Sequence, residues 1–281
     1  MGLFNGQVWH RLKKNKLAMI GMIIVIINIT VAIFAPLLTP FSPNEMNLAD
    51  SFLAPGVDGH ILGTDDFGRD LLTRILHGSR VSLIVGMVSI LIGGTIGTVL
   101  GLVAGFYGGK IDSIIMRIMD GLFAFPYVLL SIALMTALGS GIHNIIIAVS
   151  IINIPGFARI VRGETLVVKE QDYVEAAKAL GAKNKRLLFS HILPNCMAPL
   201  IVYATMGIAG AILSEAALSF LGLGIREPDP SWGSILKAGQ EYLGMASHIS
   251  TFSGLAILFS VLGFNLFGDG LRDALDPRLK Q

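Results

Sequence analysis

Val81-Ser-Leu-Ile-Val-Gly-Met-Val-Ser-Ile-Leu-Ile-Gly-Gly-Thr-Ile-Gly-Thr-Val-Leu-Gly-Leu-Val-Ala-Gly-Phe106 contains no charged side chain. As an α-helix it is about 39 Å long, enough to cross the ~30 Å hydrocarbon core of a bilayer. Gly93, Gly97, Gly101 and Gly105 recur every fourth residue, with Gly109 one step beyond them and Ser89 one step before. Residues four apart share a helix face, so this ladder is a smooth groove into which another helix can settle. Two readings of it stand: a helix that slides at the heart of a pathway, and static close packing. So general a motif leans toward the second.

Five further stretches are as apolar, giving spans expected at 17–38, 81–106, 119–138, 142–161, 197–221 and 251–268. The composition agrees. Of 281 residues 53% are hydrophobic and 14% charged, and the mean hydropathy is +0.71, whereas soluble domains are about 25% charged. So little polar surface cannot cover the chain in water, and lipid is its solvent. The expected fold is all-α: a polytopic membrane protein with six transmembrane helices. Arg11, Lys13, Lys14 and Lys16 precede the first apolar run, but that run is longer than the core of a signal peptide, so it reads as a retained helix. Pro126, and Pro155 with Gly156, are expected to interrupt the third and fourth spans.

Charge sets an expected orientation. With the N-terminus inside, the outer segments hold only Arg69, Arg74, Arg80, Arg226 and Lys237 of the 21 basic residues. The positive-inside rule then makes both termini cytoplasmic. A net charge of +2 gives no sign of a nucleic-acid partner. The single cysteine, Cys196, excludes an intrachain disulfide and a cysteine-cluster metal site.

Signatures of catalysis are missing. There is no His-Glu-x-x-His and no Gly-x-Ser-x-Gly. Gly105-Phe-Tyr-Gly-Gly-Lys110 fails as a phosphate loop because its glycine spacing is wrong and Ile111 stands where Ser or Thr is needed. The six histidines are scattered without ligand spacing. Catalytic residues, bound cofactors and metals are therefore not expected. Within the spans the ionisable residues are Asp120 and Glu215, with Asp269 near the last boundary. Intramembrane carboxylates are candidates for a pathway, but Asp120 lies near an inner end and Glu215 near an outer one, where interfacial water would solvate each. No midplane relay of the kind a secondary transporter uses is visible, and no repeat of the kind common in carriers. A secondary transporter or channel is the runner-up, and an intramembrane enzyme, which would need paired catalytic groups, comes third.

The segment between the fourth and fifth spans is the most informative: Glu164-Thr-Leu-Val-Val-Lys-Glu-Gln-Asp-Tyr-Val-Glu-Ala-Ala-Lys-Ala-Leu-Gly181-Ala-Lys-Asn-Lys-Arg-Leu-Leu-Phe-Ser-His-Ile-Leu-Pro194-Asn. Asp172 and Glu175 have capping-box spacing, opening a short helix. Tyr173, Ala176, Ala177 and Leu180 share one face, and Gly181 can end the helix in a left-handed cap. A second short helix, basic at Lys183, Lys185 and Arg186 and apolar at 187–189, is expected to break at Pro194. The two make a knob suited to a groove on another protein. Farther on, Trp232, Ile235, Leu236, Gly239, Tyr242 and Leu243 share a face of a short helix expected to lie along the membrane surface.

Glu175-Ala176-Ala177, Gly181 and Leu193-Pro194 resemble the signature loop of ABC importer permeases, with His191 where that pattern has isoleucine. Leu62-Gly-Thr-Asp-Asp-Phe-Gly-Arg-Asp70, Leu213-Ser-Glu-Ala-Ala-Leu-Ser-Phe-Leu-Gly-Leu-Gly224, Pro230-Ser-Trp-Gly233 and the run from Asn265 to Pro277-Arg are similar to the second permease of dipeptide, oligopeptide and nickel importers. The resemblance implies a type I ABC importer permease fold in a bacterial or archaeal inner (plasma) membrane. Residues 1–80 would form an N-terminal helix and outer loop. Residues 81–281 would form a five-helix core whose loop at 162–196 couples to two cytoplasmic ATPase subunits. ATP and Mg would be used by those subunits, not by this chain. A homologous second permease would complete a heterodimer, and an extracytoplasmic binding protein would deliver peptides, metal chelates or glutathione. In that scheme Glu175, Ala176, Ala177, Gly181, Lys185, Leu193 and Pro194 form the coupling element.

Overall fold

A computed structural model describes residues 6–275, and their regular structure is helical apart from two isolated β-bridges in the 39–70 loop. Arg278 and Lys280, counted in the charge argument, and Pro277 of the last motif lie outside the described residues. A short helix α1 (Gly6–Lys14) turns at Asn15 into α2 (Lys16–Leu38). Asn15 caps α2 by accepting from the Ala18 amide at 3.1 Å. Residues 39–70 form a folded loop, after which α3 (Leu71–Tyr107) starts on an Asp70 cap. α3 begins ten residues before the expected span, because Arg74 and other polar side chains of its first turns are buried in protein.

The third expected span is a broken one. α4 (Gly109–Ala124) and α5 (Tyr127–Leu138) meet at 93°. Pro126 forces Phe125 into extended backbone (φ −84°, ψ 134°), since the residue before proline avoids helix. Neither half alone, at about 24 and 18 Å, is long enough to cross. Among the described residues five helices are long and apolar enough to span, or six if the bent pair counts as one span. α6 (Ile142–Val168) departs from expectation, running unbroken through Pro155. The proline removes one rung, but the helix is clamped there: Pro155, Gly156 and Phe157 are buried, the Phe157 ring set edge-on to Tyr203.

α7 (Asp172–Ala179) leads through Gly181 into α8 (Asn184–Arg186), a π-helical turn (Leu187–Ile192) and α9 (Leu193–Phe220). Pro194 does not break this path. It sits in the first turn of α9, where its missing N–H is tolerated, and the wider π turn before it absorbs the register change. α10 (Trp232–Gln240) and α11 (Ser247–Leu275) complete the chain.

The contacts fix the topology. The α3 ladder pairs in parallel with α6, from Gly93 at Ser150 to Gly105 at Thr165. α9 runs antiparallel to α3, with Gly207 at Ile90 and Gly86 at Ile212. α2 and α11 run antiparallel, Gly21 meeting Gly263 and Phe267, and Asn28 Oδ1 accepting from Ser260 at 2.7 Å. Both ends of the described chain therefore lie on the side of α7 and the π turn, and the 39–70 loop lies on the other. α10 corrects an expectation. Its apolar face meets protein rather than lipid: Trp232 and Ile235 are buried with Ile212, Ala216 and Ile249, and Trp232 Nε1 donates to the Ile75 carbonyl at 3.0 Å.

Candidate functional site

The knob stands on a small core of its own. Val174 of α7 and Leu187, Leu188 and Ile192 of the π turn are buried with Leu102, Val161, Val168 and Cys196. The capping box is not formed: Gln171 is the N-cap, no side chain accepts there, and Asp172 is already helical. The exit follows the sequence, with Gly181 at φ +82° and its amide donating to the Lys178 carbonyl at 3.0 Å. Only Gly, and less readily Asn, takes that conformation without strain. Since Val174 and Ala177 face the protein body, the Tyr173, Ala176 and Leu180 edge faces out. Leu180 is 88% exposed and Tyr173 46%. Glu175, Lys185 and Pro194 are also exposed, while Leu193 is half-buried. Asn195 Nδ2 donates to Tyr173 Oη at 3.0 Å and to the His191 carbonyl at 2.6 Å, tying α7 to the base of α9. Lys169 Nζ donates to the Gly105 carbonyl at 3.1 Å, tying the knob's root to the ladder.

The ladder itself is backbone against backbone. A Cβ at Gly93, Gly97 or Gly101 would fall 2.5–2.6 Å from the carbonyls of Ser150, Ile154 and Ala158, and one at Gly105 would fall 2.7 Å from Thr165 Cβ. On its other side α3 borders an open apolar groove of about 470 Å³, shared with α6 and α9 and lined by Leu91, Val99, Phe157, Met197 and Ala204 among others.

The two intramembrane carboxylates part company. Asp120 is exposed and paired with Arg159 at 2.6 Å, and that guanidinium also lies over the Phe123 ring. Glu215 is fully buried, so the expectation that it reaches interfacial water fails. Instead it accepts from Ser82 Oγ at 2.7 Å and Ser219 Oγ at 2.8 Å, bridging α3 and α9. Burying a carboxyl is tolerable when hydroxyls take up its lone pairs.

A charged cluster at the opposite end escaped the sequence reading. Arg69, with no exposed surface, donates through Nε to Asp65 at 2.6 Å and through Nη1 to Glu227 at 3.2 Å. Arg74, also buried, lies 3.3 Å from Asp65 and donates to the Pro43 carbonyl at 2.9 Å. Asp70 caps α3 through the Thr73 amide at 2.7 Å and meets His60 Nδ1 at 2.8 Å. Burial works against the Arg69 charge, but the bonds to Glu227 and Asp65 outweigh it and hold that guanidinium above its ordinary pKa. Burial, and then the neighbouring Asp65, push the Asp66 carboxyl up. The Leu62–Asp70 motif gave a signal of this cluster; its partner Glu227, 158 residues from Arg69, gave none. Among the described residues no group of three or more His, Cys, Asp or Glu is placed to hold a metal.

Residues 97–281 match the family described as binding-protein-dependent transport system inner membrane component, and residues 4–55 match the N-terminal TM domain of oligopeptide transport permease C. The chain is 48% identical over 274 residues to the dipeptide transport system permease protein DppC of Alkalihalophilus pseudofirmus, covering 98% of this chain and 90% of that protein. It is 48% identical over 274 residues to the glutathione transport system permease protein GsiD of Salmonella typhimurium, with the same coverage. In fold it is similar to a chain of the inward-facing MetNI methionine ABC transporter, with a TM-score of 0.59 at 18% identity, covering 72% of this chain and 96% of that one. The chain thus belongs to the binding-protein-dependent transport inner membrane component family, as a multi-pass inner-membrane permease subunit of an ABC importer.

Proposed function

We propose that this permease forms half of a path for small peptides, glutathione among them, and takes its driving force from separate ATPase subunits gripping the α7–Gly181–α8 knob. The observation that carries the reading is the exposed edge of α7. A leucine left 88% exposed beside a half-exposed tyrosine, next to Lys183, Lys185 and Arg186, is an apolar contact with a basic rim, the anatomy of a docking patch. The root of the knob is bonded to Gly105 and its far end continues into α9, so a pull there reaches both the ladder and the groove. The distribution of Lys and Arg favours a cytoplasmic knob and cytoplasmic termini. The apolar groove along α3 and α9 would face a homologous second permease, and the charged cluster would face an external binding protein. The peptide assignment draws on the relatives named for dipeptide and glutathione transport. ATP and Mg act on the ATPase subunits in this scheme.

The test is site-directed. In the chain co-expressed with its partner ATPase and permease subunits, Leu180→Cys should crosslink to a cysteine in the ATPase surface, in a nucleotide-dependent manner. Glutathione or dipeptides, with the cognate binding protein, should stimulate ATP hydrolysis in vesicles. Crosslinks that ignore nucleotide would show that the knob does not move with the ATPases.

A further inference from the structure

α1 has no part in the transport reading above, yet it is built rather than trailing. Leu12 is buried and Val8 half-buried, packed on Ala18 and Met22 at the foot of α2 and on Phe267 and Ala274 at the end of α11. The opposite side carries Trp9, 47% exposed, with the Lys13 ammonium 5.0 Å from its ring centroid, and the exposed Lys14. The helix therefore lies against the ends of two spanning helices with a tryptophan and several cations turned outward. Tryptophan settles at the headgroup level of a bilayer, and a basic amphipathic helix is held there by anionic lipid.

Between α1 and α11 lies a cavity of about 350 Å³ lined by Arg11, Lys14, Asn15, Gly270, Asp273 and Ala274. Gly270 lets α11 settle against the foot of α2 beside this cavity, since a Cβ there would overlap Ala18. Among the described residues the one carboxylate in the lining, Asp273, accepts from Asn15 Nδ2 at 3.4 Å. Lys13, Lys16 and Arg272 stand close in sequence to this lining, with Asp269 and Asp276 as the opposing charges, so the surroundings remain cationic. We propose that this cavity holds the phosphate headgroup of an anionic phospholipid from the adjoining leaflet. Arg11 and Lys14 supply the charge, and Trp9 fixes the depth at which α1 lies. Basic pockets between membrane helices take up such headgroups. The proposal rests on the membrane placement of the spans and is independent of what the importer carries.

The measurement is lipid retention by the detergent-purified chain, with whatever subunits co-purify, after equilibration with mixed phosphatidylglycerol and phosphatidylcholine, read by native mass spectrometry. The wild type should retain phosphatidylglycerol preferentially. Arg11→Gln/Lys14→Gln should reduce that preference about thirtyfold, at roughly fivefold per lost cation near an anionic surface. Arg11→Lys/Lys14→Arg should keep it, which separates charge from folding. Lys110→Gln/Arg117→Gln, equally basic and exposed on α4, should leave it unchanged. Equal retention by wild type and the double glutamine variant would overturn the proposal, as would an equal loss in the α4 control. Displacement of the lipid by millimolar inorganic phosphate would make this a small-anion site and overturn the lipid assignment.

Discussion

Gly181 and Asp66 show how single positions carry strain and charge in this protein. At φ +82° Gly181 sits in a conformation that costs a β-carbon residue about 1–2 kcal/mol. Nothing lies within 4 Å of where a Cβ would go, so the penalty is purely of the backbone. Gly181→Val should leave membrane levels normal, since the knob is outside the spans, while re-aiming the Leu180 edge. Substrate-stimulated ATP hydrolysis in vesicles should fall several-fold, with Gly181→Asn much nearer wild type because Asn tolerates this region. Wild-type stimulation in the valine variant would mean the turn does not set the knob's aim. Asp66 offers a pH test. Its carboxyl is raised by burial, so ionisation costs the fold stability. That cost is fully present above the raised value and vanishes as pH falls below the ordinary 3.8. Asp66→Asn should raise the melting temperature at neutral pH, the gain shrinking steadily toward pH 4. A gain that persists unchanged into acid would assign the effect to packing.

Among the elements, the α3–α6 contact is the tightest. Gly101→Leu places carbon where the Ala158 carbonyl lies 2.5 Å away, so the helices must part. Even one added methyl in such a contact costs about 1–3 kcal/mol, and leucine should abolish recovery of intact complex from detergent. Gly163→Leu is the control: no atom lies within 4 Å of its Cβ position, and recovery should be normal. The ladder was legible because a period of four is a property of the chain alone. The right-angle break at Pro126 was only partly so, since proline announces a kink but not its angle. Neither the passage of α6 through Pro155 nor that of the π turn into Pro194 was legible. At Pro155 packing from neighbouring helices outweighs a local propensity of about 3 kcal/mol, whereas Pro194 falls in the first turn of α9, where its missing N–H costs little. The inward-facing side of α10 was missed for a related reason: an apolar stripe is the same whether protein or lipid covers it.

For the whole molecule, the charged cluster is what joins the 39–70 loop, the start of α3 and the α9–α10 connection. Arg69 is its hub, and removing it breaks the buried Arg69–Asp65 pair, leaving Asp65 with Arg74 alone and the half-exposed Glu227 without its partner. Arg69→Ala should cost about 3–5 kcal/mol, the scale of a broken buried pair, and show as loss of folded protein in fluorescence-detected size exclusion. Arg80→Ala, at an exposed position on α3, should change little. If Arg69→Ala assembles normally, the cluster is not what holds this end closed.

The sequence by itself determined that the chain lives in lipid, that its helices span, where the knob begins and turns, and which family it resembles. Those follow from transfer free energy, helical periodicity and the special backbone of glycine, all of which act within a few residues. Only the tertiary structure decided that Glu215 is sealed between Ser82 and Ser219, that Arg69 meets Glu227, and that α1 folds back to leave a basic cavity beside α11. Each of these depends on side chains more than a hundred residues apart, whose meeting is set by the packing of whole helices.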